Sequence, residues 1–365
     1  MFRRMKFLNV SVLKPDGQGK GLALENATRH GSINEVIPLF TSPKSRGFIV
    51  ISLLLGLLLS LFQPVPAAAG ADKVHPQVRA ALSGRDFVQV LIKLSAEQDP
   101  HEAARAALSK LPDNAPSAQR KLAARQGVLD SLQAAAASSQ GQLLSLLTTA
   151  AQNGLAREIR SYYIVNIIYA EIHPSLILSF ARHSDVAAVL PNVRISQADS
   201  VLKTAGTRIG SNWNLERIGA SSVHNSGING NGITVGLIDT GVDWTHPDLN
   251  LRWRGHNPAG SANPELNWFD AVNGRAMPYD DDGHGTHVAG IIVGENTGVA
   301  PGASWIAVKA FDEYGDANSE WLLKAGQYML APLDAAGTPH PEMAPDLINN
   351  SWGKDAGLDE WYRPM

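Results

Sequence analysis

Hydrophobic and polar positions change their rhythm three times along this 365-residue chain. The first rhythm is a single unbroken apolar run, Phe48 to Phe62, inside "RGFIVISLLLGLLLSLFQPVPAAAG". Its 15 residues fall short of the roughly 20 that a membrane-spanning helix needs. Lys44 and Arg46 precede it, and Ala67, Ala68 and Ala69 follow it. That order predicts a leader over 1–69 containing a bacterial-type signal peptide cleaved near Ala69, with membrane contact only during export. Residues 1–46 carry no pattern from which a fold can be read.

The second rhythm runs from residue 72 to 191. "FVQVLIKL" (87–94) alternates, is rich in branched side chains and predicts a strand. Residues 101–154 are rich in Ala, Leu and Gln with a break at "LPDNAPS", which predicts a helix, a loop and a long helix. "IRSYYIVNIIYAEI" (159–172) predicts two strands or one bent one. Pro174 opens a helix from its first turn, and "VAAVLPN" closes as a strand. The order β-α-β-β-α-β predicts a small ferredoxin-like α+β domain over 72–191. Residues 192–211 are polar and predict a linker.

From residue 212 to 365 the strands become near-continuous apolar runs: "GITVGLID", "SWIAVKAF" and "DLINNSW". Helical stretches at 284–294 and 319–330 separate them. Strands of this kind alternating with helices predict an α/β domain with a parallel sheet covered on both faces. In such sheets, chemistry gathers at the carboxyl ends of the strands, and Asp239 stands at one.

Charge sharpens the division. Basic against acidic residues number 8 to 3 over 1–71, 13 to 11 over 72–200 and 10 to 20 over 201–365. The acidic last segment argues against nucleic acid as a partner. The chain has no cysteine, which excludes disulfides, thiolate nucleophiles and Cys-type zinc sites.

The densest chemistry is "DDGHGTHVAG" (281–290), with His284 and His287 three apart. Zinc helices space their histidines by four and carry an intervening Glu, so metal binding is the weaker reading. A zinc hydrolase using both histidines and the triplet Asp280, Asp281 and Asp282 stays as an alternative, although a solvated turn is the simpler reading of the triplet. His284 is flanked by Gly283 and Gly285 and sits at a tight turn into a helix, while His287 is expected to be packed or hydrogen-bonded. Asp239 opens Asp-Thr-Gly, and a carboxylate at a strand end can hold an imidazole in one tautomer. Aspartic proteases also use this tripeptide, but in two copies sharing one site; here it occurs once.

"GLIDTGVDWTHPDL", "DDGHGTHVAGIIVG", "GVAPGASWIAVKAF" and "LINNSWG" together resemble the motifs of subtilisin-like serine proteases, over about residues 211–365. The resemblance implies a subtilisin-like catalytic domain over 212–365, incomplete, with 72–191 similar to the family's inhibitory propeptide. It places the triad Asp on Asp239 and the triad His on His284. It places substrate-binding strands on Asn350, Ser351, Trp352 and Gly353 and, opposite, on Gly315, Asp316 and Ala317. The implied partners are polypeptide substrates and the intramolecular propeptide. Many family members bind calcium through the residue matching Asp248 and a loop after the His helix; here "GENTGVAP" follows directly, so no complete calcium site and no cofactor is expected. The family's nucleophile lies in G-T-S-x-A, whereas Gly-Thr here is followed by Arg208, His287 or Pro339. The expectation is therefore a secreted peptidase precursor, truncated before its serine and oxyanion Asn and inactive as it stands. The competing expectation is a non-enzymatic protease inhibitor or decoy acting through 72–191.

Overall fold

The computed structural model describes residues 70–196, 213–259 and 261–353. The leader, its apolar run, Ala69 and most of the expected linker lie outside the described residues. Among those described, no helix is long and apolar enough to cross a membrane.

The first unit is an antiparallel sheet of four strands: β1 (Val88–Leu94), β2 (Ala156–Tyr162), β3 (Ile167–Ile172) and β4 (Val186–Pro191), in the order β2-β3-β1-β4. A short helix α1 (Pro76–Ala80) precedes it. Helices α2 (Pro100–Leu108) and α3 (Ser117–Gln152) join β1 to β2, and α4 (Pro174–Ala181) joins β3 to β4. The doubtful stretch 159–172 resolves into two strands, and the turn between them is fastened by side chains. Asn166 takes a left-handed φ of 49°. Buried Gln140, on α3, donates to the Tyr162 carbonyl and to Asn166 Oδ1 at 3.0 and 2.9 Å.

Alternation along the strands explains why β1 and β3 read as almost wholly apolar. Val90, Ile92 and Leu94 face Leu143 and Leu147 of α3 and Phe180 of α4 in one buried cluster. Leu91, Ile167 and Tyr169 point the other way and join a second cluster. That second cluster belongs equally to the rest of the chain.

After two short helices, α5 (Trp213–Arg217) and α6 (Ala220–Asn225), comes a parallel sheet in the order β10-β6-β8-β7. Its strands are β6 (Thr234–Asp239), β7 (Trp268–Asp270), β8 (Ser304–Lys309) and β10 (Leu347–Asn349). Val235, Leu237, Trp305 and Ala307 pack under α7 (His284–Val293) with Val288, Ala289 and Val293. Ile238, Ile306 and Val308 pack on the opposite face with Leu322, Leu323 and Met329 of α8 (Ser319–Leu330). The parallel sheet is thus covered on both faces, as the continuous apolar strands require. The far side of α8 carries the free face of the first sheet, so α8 lies between two sheets.

One element was not expected. Residues 194–196, inside the stretch that reads as a linker, form strand β5 (Arg194–Ser196), which pairs antiparallel with β9 (Asp316–Asn318). Ile195 lies opposite Ala317, and both are about 2% exposed.

Candidate active site

Asp239 is the last residue of β6, at the carboxyl end of the parallel sheet, and is 1% exposed. Its carbonyl accepts from the amides of Ala310 and Phe311 at 2.8 and 3.3 Å, so the neighbouring chain fixes the strand end. The chain then turns sharply through Gly241, whose φ is 114°. A methyl group there would stand 2.0 Å from the Tyr279 carbonyl oxygen.

His284 opens α7 behind Gly283, a left-handed cap with φ of 99°. Its Nδ1 lies 2.7 Å from Asp239 Oδ1. A carboxylate only accepts, so Nδ1 donates and the neutral ring carries its basic lone pair on Nε2. The hydrogen bond that Nδ1 donates to Asp239 holds the His284 pKa above the usual histidine value, opposed by desolvation and aided by the charges of Asp239, Asp282 and Asp280. A neutral imidazole oriented in this way, with its basicity raised, can take a proton on Nε2 and return it.

Two turns meet to make this pair. Gly285 N donates to Thr240 Oγ1 at 2.9 Å, and Thr240 Oγ1 donates to Asp280 Oδ1 at 2.9 Å. Asp280 also accepts from Gly283 N at 2.9 Å and from Thr286 N and Oγ1 at 2.8 and 2.7 Å. A Cβ on Gly285 would lie 2.0 Å from the Gly241 carbonyl oxygen. Only glycine lets the backbones approach closely enough for the two side chains to touch.

β9 follows Phe311, whose amide holds the Asp239 carbonyl, by five residues. Gly315 has a φ of 73° and turns the chain into the strand. Asp316 receives both Arg194 and the Ser196 hydroxyl from β5. Of the other expected strand, β10 stops at Asn349, and Asn350 to Gly353 continue without regular pairing. Trp352 nevertheless packs on Phe311, ring centroids 5.8 Å apart.

Comparison with known proteins adds an independent line. The subtilase family model matches residues 230–363. Bacillopeptidase F of Bacillus subtilis (strain 168) is 38% identical over 361 residues, covering 88% of this chain and 25% of that protein. M-protease of Shouchella clausii (strain KSM-K16) is 32% identical over 179 residues, 46% of this chain and 42% of that protein. Subtilisin Savinase of Lederbergia lenta is 35% identical over 151 residues, 38% of this chain and 50% of that protein. Residues 230–363 belong to the subtilase family. The chain spans about a quarter of the length of Bacillopeptidase F and half or less of the other two.

Within this subtilase segment several expected residues behave differently. His287 is exposed on α7 and not buried in the core. The acidic triplet is more than a solvated turn: Asp280 ties the two turns together, and Asp281 lies 2.5 Å from the ammonium of fully buried Lys309. Among the described residues, no group of three or more His, Asp or Glu is placed to hold a metal. Asp248 accepts from Asn296 N and Nδ2 and from Thr297 Oγ1 at 2.7–2.8 Å. Burial works against its charge, but those hydrogen bonds outweigh it and keep the carboxyl below its usual range. Three donors from Asn296 and Thr297 thus engage the Asp248 carboxylate. Lys309 and β5 were missed from sequence: a lysine ending a strand normally reads as solvent-facing, and three residues carry no periodicity.

Gly285→Ala is expected to lower stability by about 1–3 kcal/mol through overpacking and to weaken the Asp239–His284 hydrogen bond. Thermal unfolding and the His284 imidazole signals check this. An unchanged melting point with unchanged signals would mean that the turns have room to spare.

Proposed function

We propose that this chain is part of an exported serine endopeptidase precursor, in which Asp239 and His284 supply the orienting carboxylate and the proton-transfer base. The observation that carries it is the 2.7 Å contact between a buried strand-end carboxylate and a helix-capping imidazole. In that role His284 Nε2 removes the proton from a serine hydroxyl as it attacks a peptide carbonyl. It then delivers that proton to the departing amine, while Asp239 stabilises the imidazolium. No calcium is assigned to Asp248, and no cofactor to the reaction.

Residues 72–196 act in this proposal as the inhibitory prodomain. An extended segment laid against a strand gains affinity from main-chain hydrogen bonds, and β5 on β9 has this form. The same pairing favours a second reading, in which 72–196 inhibits other peptidases of the family.

The serine is the missing partner, since none of the three Gly-Thr pairs in the 365 residues is followed by Ser. In subtilisin itself, loss of the serine or the histidine lowers kcat by about 10⁶. Expressed in a bacterium, the 365-residue chain is expected to be exported, to begin at or near Gly70 and to leave casein intact. Casein cleavage that disappears in His284→Ala would show that the chain contains its own nucleophile. A membrane-bound product with an intact N-terminus would remove the export step.

Residues 72–196, titrated against an active subtilase, are expected to inhibit it at micromolar concentration or below. Absence of inhibition at that concentration would rule out the inhibitory role proposed for this domain.

A further inference from the structure

Lys309 ends β8 beside Asp239 in the β6–β8 register and is 0% exposed. Its ammonium donates to the Thr240 carbonyl at 2.7 Å and to Asp281 Oδ1 at 2.5 Å. The Tyr279 ring lies 5.0 Å from the same nitrogen. Taking an ammonium out of water is unfavourable unless it is paired and hydrogen-bonded. A methionine or leucine would fill the same volume without that penalty, so the packing of the core does not explain the charge.

The identity of the two acceptors does. Thr240 directly follows Asp239, and Asp281 comes three residues before His284. The two turns are also joined through Thr240 Oγ1, which meets Asp280 and Gly285 N, through Asp243 N, which donates to Thr286 Oγ1 at 2.9 Å, and by a bridge between Gly241 and Asp280. Lys309 reaches both turns from a strand held on either side by β6 and β7. It therefore contributes a fixed point that neither turn can supply for itself.

We propose that Lys309 is a positioning residue for the Asp239–His284 pair: its ammonium ties the turn after Asp239 to the turn before His284 and so sets the distance at which the two side chains meet. The role of that pair in proton transfer rests on the function proposed above; the geometric role of Lys309 does not.

Electrostatics and positioning act on His284 in opposite senses, which makes the proposal testable. The charges facing His284 are Asp239, Asp282 and Asp280, with the Lys309–Asp281 ion pair beyond them. Removing a cation alone favours the imidazolium and raises the His284 pKa. Releasing the two turns lengthens the hydrogen bond to Asp239 and lowers it.

The test uses the full 365-residue chain with labelled histidine, followed by NMR through a pH titration. In Lys309→Met the His284 pKa is expected to fall toward the ordinary histidine value, with loss of the strongly deshielded Nδ1 proton of the native pair. A pKa that rises or stays unchanged, with that proton intact in a folded variant, overturns the proposal. Should Lys309→Met not fold, Asp281→Ala decides, because it removes one of the two acceptors from an exposed turn without opening the core. The deshielded proton is expected to weaken there, and a full-strength signal overturns the proposal. Failure to find peptidase activity in any longer form of the protein would sink the proposed function and leave these signals unaffected.

Discussion

Everything in the second half of the structure converges on one short hydrogen bond, Asp239 Oδ1 to His284 Nδ1 at 2.7 Å. It demands that a strand end and a helix start, 45 residues apart in sequence, be brought into backbone contact. Gly241 and Gly285 remove the side chains that would keep them apart. Asp280 accepts at its carboxylate from five donors of both turns and the helix start. A charge-assisted hydrogen bond in a site this dry is stronger than a neutral one, but only at the right separation. The surrounding polar groups exist to hold that separation.

The packing of the first unit depends on the same region from outside. Its sheet buries one face under its own helices and the other against α8. At the crossing, Glu320 is 4% exposed and receives Tyr162 and Arg160 at 2.6 and 3.1 Å. Further along α3, Lys121 and Arg125 reach Asp346, whose other oxygen accepts from Thr234 N at the start of β6. The first unit therefore contacts the start of α8 and the residue just before β10, while β5 lies along β9. A single buried cluster running through both units couples their stability.

What was legible in the sequence is what has a long pattern. The runs "GITVGLID" and "SWIAVKAF" announced two parallel strands, and the glycines around His284 announced a tight turn into a helix. The split-sheet order of the first unit followed from alternation and from Pro174. What escaped reading depends on partners far away in sequence. β5 is three residues long and acquires its identity only from β9, about 120 residues later. Lys309 ends an apolar run and gives no sign that its ammonium turns inward to Thr240 and Asp281. His287 was expected to be held in place, but the turn of α7 points it to solvent. Among the described residues β10 pairs with β6 alone, and its ladder ends at Asn349. Leu347 and Ile348, 62% and 43% exposed, mark that edge.

The most direct measurement is the pH titration of the His284 imidazole in the full chain, compared with Asp239→Asn. With Asp239 in place its pKa should lie above the ordinary histidine value of about 6.5, because the carboxylate favours the imidazolium. The associated stabilisation is then complete below the unfolded value and is lost as pH rises through the folded one. Asp239→Asn should bring the pKa down and abolish that pH dependence. The same pKa in both proteins, or a native value at or below the ordinary one, would contradict a carboxylate-held imidazole as the centre of this site.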